Sequence, residues 1–186
     1  MVIVYVWIPA DGSGPGHTSL EADDTYITYW PCEDGIYGKK NKKGRKGKKT
    51  DGFGYSDSYE EDCDHIERKA EYVIKIQSMP TSSIKKYWDE IDSSSYNLFF
   101  YNCSTVVANA LLEGFDEYLE LRSFNQFQKL TKWTQIVGPD LAARVIVLRL
   151  LPFPLNLLNT LLRIEYTIQW PDKVKKLARD LKRVMD

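Results

Sequence analysis

GHTSLEADDTYITYWP, residues 16–31, reads as a β-hairpin. Its halves, HTSLEA (17–22) and TYITYWP (25–31), carry β-branched and aromatic side chains, and the Asp23-Asp24 pair between them supplies a turn. Working outward, VIVYVWI (2–8) is a near-continuous β-branched and aromatic run suited to a buried strand, and DGSGPG (11–16) is a loop that leads into the hairpin. EYVIKIQ (71–77) alternates well enough for a fourth strand. Pro80 and Ser82 open a helix through TSSIKKYWDEI, which Ser93–Ser95 break. NLFFYN (97–102) then runs into CSTVVANALLEG, where Val106, Val107, Ala110 and Leu111 recur at helical spacing and Gly114 supplies a stop. PDKVKKLARDLKRVMD (171–186) has Pro171 in its first turn and Val174, Leu177, Ala178 and Leu181 on one face. The pattern predicts an α+β fold in one domain over 1–186, an antiparallel sheet against helices, with a helical C-terminal part over 139–186.

Composition narrows the class. With 186 residues, 43% of them hydrophobic and 13% aromatic, the chain can bury a core and is not intrinsically disordered. Three cysteines are too few for a disulfide framework and fit free thiols in a reducing compartment. MVIVYVWIP lacks a basic n-region and a cleavage site, so no signal peptide is expected. The protein is then cytoplasmic where it is made, and leaving that cell requires a specialised route. The net charge of −1 conceals an asymmetry: KKNKKGRKGKK (39–49) holds eight of the 25 basic residues, while DSYEEDCDHIE (57–67) holds six acids. The lysine run reads as a solvated loop insertion that folds back on the acidic run or meets an anionic polymer or membrane. Residues 139–164 are the most apolar part of the chain. Arg144, Arg149, Pro152, Pro154, Asn156 and Asn159 interrupt them, so they read as core or partner-binding helices or a membrane-surface element, not a span.

Few residues can carry chemistry. His17 opens a strand after a Gly-rich loop, and Cys103 stands at the head of an amphipathic helix behind the capping residue Asn102. The first turn of a helix offers free N–H groups and the positive end of the macrodipole, both of which favour thiolate over thiol. A neighbouring imidazole stabilises that thiolate and can shuttle its proton. Either residue alone is more often structural; together they suit a cysteine hydrolase built on one strand and one helix. Asp62, Cys63, Asp64, His65 and Glu67 include metal-ligand types but match no ligand spacing, so no metal and no cofactor is expected. GSGPG lacks the Lys-Ser/Thr ending of a phosphate loop, and no nucleic-acid motif points to a specific nucleic acid partner.

Two blocks carry a resemblance. GHTSLEADDTYITYWP resembles the "G-H-x-S-L … Y-I-S-x-W-P" block, and YNCSTVVANAL (101–111) the "N-C-S-x-x-V-x-x-x-L" block, of circularly permuted papain-like cysteine enzymes. These are the NlpC-like proteins, which include type VI secretion toxin effectors and Rho-inactivation domains of large bacterial toxins. WPDKV (170–174) is similar to a closing segment of such domains. The order His before Cys is what marks the permutation. The resemblance implies a papain-like fold, Cys103 as nucleophile and His17 as base. It leaves the third, orienting member open among Thr28, which occupies the analogous strand position, and the carboxylates Glu33, Asp34, Asp62 and Asp64.

The function so implied is a cysteine hydrolase, protease or peptidoglycan amidase-like, acting as a secreted bacterial effector on a peptide, peptidoglycan or acylated substrate, with an immunity protein as partner. Transfer of an acyl group to lysine or lipid at a membrane, favoured by the apolar 139–164 region, is the alternative within the enzyme class. A non-catalytic papain-like binding module is the alternative outside it.

Overall fold

A computed structural model describes residues 1–10, 16–31, 53–54, 56–91, 102–124, 128, 131–132, 135–136 and 170–186. The lysine run 39–49, the apolar 139–164 segment, Cys32, Glu33 and Asp34 lie outside them.

The expected hairpin forms, and the strand before it joins it. β1 (Val2–Trp7) pairs antiparallel with β2 (His17–Ala22), which pairs with β3 (Thr25–Thr28) across the Asp23-Asp24 turn. Asp23 takes the left-handed conformation the turn requires, with φ 52°. The run 25–31 is not one strand. β3 ends at Thr28, and β4 (Trp30–Pro31) pairs with β5 (Phe53–Gly54) in a separate two-stranded ladder. β6 (Tyr72–Ile76) closes the other edge, giving a four-stranded antiparallel sheet in the order β3-β2-β1-β6.

The period-two alternation divides this sheet into two unlike faces. One face is apolar: Val4 pairs with Leu20 and Ile74, Val2 with Ala22 and Ile76, and Leu20 with Ile27. These side chains form one buried cluster with α3 (Cys103–Leu121) and α4 (Pro171–Met185). The other face carries Tyr5, Trp7, His17, Ser19, Glu21, Tyr26 and Thr28. Across it Tyr5 and Ser19 are paired, as are Ser19 and Thr28, and Trp7 and His17. α1 (Tyr59–Ile66) lies on this second face, with Tyr59 stacked on Tyr5 at 4.3 Å between ring centroids.

Two expectations need correction, and one element was not among those expected. The acidic run contains a helix, Tyr59–Ile66, that the pattern did not predict. Ser58 accepts from the Glu61 N–H at 3.2 Å as its N-cap, and three acids sit in its first turn, where the macrodipole favours them. Gly114 does not stop its helix, since α3 continues to Leu121. α2 (Ser82–Glu90) lies so close there that a Cβ on Gly114 would stand 2.8 Å from Ile84 Cδ1, so the missing side chain serves helix approach. The 25–31 run, as above, is broken at Tyr29. The helix at 171 begins where expected, with Pro171 in its first turn. Among the described residues no helix is long and apolar enough to cross a membrane.

Candidate active site

The site lies where β2 begins and α3 begins. Asn102 sets the helix start: its Oδ1 accepts the Thr105 N–H at 2.9 Å and its C=O accepts the Val106 N–H at 3.0 Å. Cys103 follows as the first helical residue, 5% exposed. Its own N–H and that of Ser104 have no backbone acceptor among the described residues, as the geometry of a first turn requires. β2 meets this helix start through Thr18, whose hydroxyl lies 3.4 Å from Ser104 Oγ.

His17 is the first residue of β2 and is 3% exposed. Gly16 before it has φ +82°, and a Cβ there would lie 2.5 Å from the Trp7 carbonyl oxygen and 3.0 Å from Pro171 Cγ. Only glycine fits this approach, which delivers the strand to its starting point. The imidazole is flanked by two indoles. Trp30 stacks on it at 4.0 Å with planes 14° apart, and Trp7, its cross-strand neighbour, is tilted at 5.4 Å.

The Nε2 side of His17 faces oxygen. Thr28 Oγ1 is 2.9 Å away and Asp62 Oδ2 is 3.3 Å away. The Thr28 hydroxyl spends its single hydrogen on Asp62 Oδ1 at 3.3 Å, so toward His17 it accepts, and Nε2 must carry a hydrogen. That assignment leaves Nδ1 for the Cys103 side, and the charges of the imidazole and the thiol act on each other.

Asp62 has no exposed surface. Both of its oxygens receive two donors: Trp30 Nε1–H at 2.8 Å and Thr28 on Oδ1, Tyr26 O–H at 2.7 Å and His17 on Oδ2. Tyr26 is held in turn at 2.5 Å from Ser19 Oγ. An ionised carboxylate is acceptor-only, and such a shell is suited to its charged form alone.

The electrostatics follow from this geometry. Burial opposes charge on His17, but the Cys103 thiolate and the Asp62 carboxylate outweigh it and raise the imidazole to about 9. Burial likewise pushes the Cys103 thiol up. The His17 charge and hydrogen bond, the Thr18 N–H and the Ser104 hydroxyl reverse this and leave it below its ordinary value. Burial also works against the Asp62 carboxylate, and His17, Ser56 and Tyr26 overcome it, holding the group well below the usual carboxylate range. Each charge thus favours the other, the imidazolium lowering the thiol and the thiolate raising the imidazole, with a buried anion behind them.

The structure therefore brings Cys103, His17, Thr28 and Asp62 together. Of the other candidates for a third member, Asp64 is exposed on α1, and Glu33 and Asp34 are outside the described residues. Of the remaining ligand-type residues of the acidic run, Cys63, His65 and Glu67, His65 meets the Trp30 ring edge-on at 6.0 Å; among the described residues no three such groups converge on a metal position. Tyr26 and Trp30, the other two donors to Asp62, went unassigned in the sequence. Their spacing at 26, 28 and 30 is the available signal, since alternate residues of an extended strand share a face. Neither family models, nor characterised proteins, nor solved structures give a match to this chain.

Proposed function

We propose that the chain is a cysteine-nucleophile hydrolase of papain-like, permuted NlpC-like architecture. The observation that supports it most is His17 held between the Cys103 thiol and a buried carboxylate whose four donors fix its position. In this reading the Cys103 thiolate attacks the carbonyl carbon of an amide or ester. The oxyanion that forms is received by the N–H groups of Cys103 and Ser104 at the positive end of α3. The His17 imidazolium gives its Nδ1 proton to the leaving group, which departs and leaves a thioester on Cys103. His17, now neutral, takes a proton from water as it attacks that thioester; Cys103 leaves as thiolate and the acid product is released. Asp62 and Thr28 keep the imidazole in the tautomer and plane both proton transfers need, and Asp62 stabilises its charged form. The two sequence blocks support the wider proposal: a secreted bacterial toxin effector that cuts a peptide or peptidoglycan target and is held in check by an immunity protein.

The test is the alkylation rate of each cysteine by iodoacetamide, resolved by mass spectrometry across about pH 5 to 9, in the wild type and in His17→Ala. Cys103 should react well below the ordinary thiol value of about 8.5, and the substitution should abolish that low-pH reactivity. A Cys103 that is inert throughout, or indifferent to His17 in a folded variant, rejects the enzyme and leaves the binding module.

A further inference from the structure

Trp30 touches both groups that stand behind the thiol. Its ring covers the face of the His17 imidazole, and its indole N–H donates to Asp62. Filling space beside a histidine requires neither the near-parallel stack nor the hydrogen bond. The backbone of Trp30 is fixed independently, because β4 pairs it with Gly54 of β5 instead of continuing β3. A ring anchored at its backbone and at its N–H has little freedom to swing, so the imidazole beneath it is confined to the plane that joins Cys103 to Asp62.

The stack has an electronic consequence too. A cation is drawn to an aromatic face, most strongly that of tryptophan, and the attraction grows where water is excluded. Donation of the indole N–H to a carboxylate places additional electron density in the ring and strengthens the effect. The charged or titratable groups that face His17 among the described residues are Cys103 from α3 and Asp62 from α1, with Tyr26 of β3 behind Asp62.

We infer that Trp30 is a positioning residue for the Cys103–His17 pair: its ring holds the imidazole in register and favours the imidazolium, and its N–H on Asp62 sets the ring. The inference rests on the proposed reading of Cys103 and His17 as a reactive pair.

The experiment uses the full chain with Trp30→Phe, which keeps a weaker aromatic face and loses the donor, and Trp30→Leu, which loses both. Cys103 alkylation against pH reports the thiolate, and the ¹⁵N shifts of His17 report the imidazole. In Trp30→Leu the thiolate inflection should rise and the His17 midpoint fall, each by about one pH unit. That is roughly tenfold less thiolate below the inflection. Trp30→Phe should fall between Trp30→Leu and the wild type. A folded Trp30→Leu that titrates like the wild type, or shifts the other way, overturns the inference while leaving the reactive pair intact. Should the variants not fold, the wild type decides. The assigned Trp30 indole ¹H–¹⁵N resonance should move with the His17 midpoint, and a resonance that ignores that titration overturns the inference. A wild-type Cys103 that titrates as an ordinary thiol removes the pair, and the inference with it.

Discussion

Replacing Asp62 by Asn keeps its shape and removes its charge. The carboxylate oxygen is 3.3 Å from His17 Nε2. At that separation and an effective dielectric of about 20, the gross attraction between unit charges is about 5 kcal/mol. Desolvation and relaxation reduce what is realised, and an opposite charge at such range moves a pKa by about 1–3 units. We expect the His17 midpoint to fall by about two units from its value of about 9, and the Cys103 thiolate inflection to rise. Stability falls as well. Either orientation of the amide turns its N–H₂ toward two of the four donors, so hydrogen bonds are lost in a position without access to water. Breaking a buried pair on one side costs about 3–5 kcal/mol. For a chain of 186 residues, the lower end of that range corresponds to about 6–12 °C in Tm. The assay pairs pH-resolved alkylation of Cys103 with ¹⁵N titration of His17 and thermal unfolding. An Asp62→Asn protein that unfolds at the wild-type temperature and whose His17 midpoint has not moved would refute the reasoning.

The pair also shapes the pH dependence of stability. His17, raised from 6.5 to about 9, contributes stability that is complete below 6.5 and is lost as pH rises through about 9. Cys103, lowered from 9.0, contributes stability that is complete above 9.0 and is lost as pH falls through its folded value. Where Cys103 is ionised between 6.5 and 9, the folded and unfolded chains each hold one proton on the pair and the two slopes cancel. Cys103→Ala removes the largest of the influences that raise His17, so the ¹⁵N titration midpoint of His17 should fall below about 9; an unmoved midpoint would contradict the coupling. Gly16→Ala places a Cβ against the Trp7 carbonyl at positive φ and should cost at least about 1–3 kcal/mol while depressing Cys103 reactivity. A neutral effect on urea unfolding would count against the close approach. In Gly114→Ala, about 1 kcal/mol of helix propensity opposes about 1–3 kcal/mol of overpacking on Ile84. We expect a net loss of about 1 kcal/mol that Ile84→Val partly relieves; strictly additive losses in the double-mutant cycle would show that the two do not touch.

Much of this arrangement was legible before any coordinates. The hairpin, the capped helix at Cys103 and the amphipathic helix at Pro171 rest on local chemistry: a turn dipeptide, an Asn cap and a hydrophobic stripe. Local signals are also what placed His17 at a strand start. α1 had a readable mark as well, Ser58 followed three residues later by Glu61, but the run was weighed only for metal-ligand spacing and no helix was assigned to it. The choice among candidate third members could not be made locally. Asp62 is distinguished from Asp64 only by the face of α1 that meets the sheet, and that depends on β3 being alongside. Gly114 misled for a related reason, since its purpose is the distance to α2 rather than the end of its own helix.

The three β-strand donors to Asp62 have a consequence for changes in chain length. Tyr26, Thr28 and Trp30 reach the carboxylate because they stand two residues apart, and the intervening Ile27 and Tyr29 are wholly buried. A substitution at one of these positions subtracts one donor and leaves the rest. Removal or insertion of a single residue at the Asp23-Asp24 turn, with β3 re-paired in the sheet, exchanges the two faces of β3 and turns Ile27 toward Asp62 in place of Tyr26 and Thr28. The hairpin thus tolerates exchange of letters by degrees and a shift of reading frame not at all, so its count of residues is as much a part of the site as their identity.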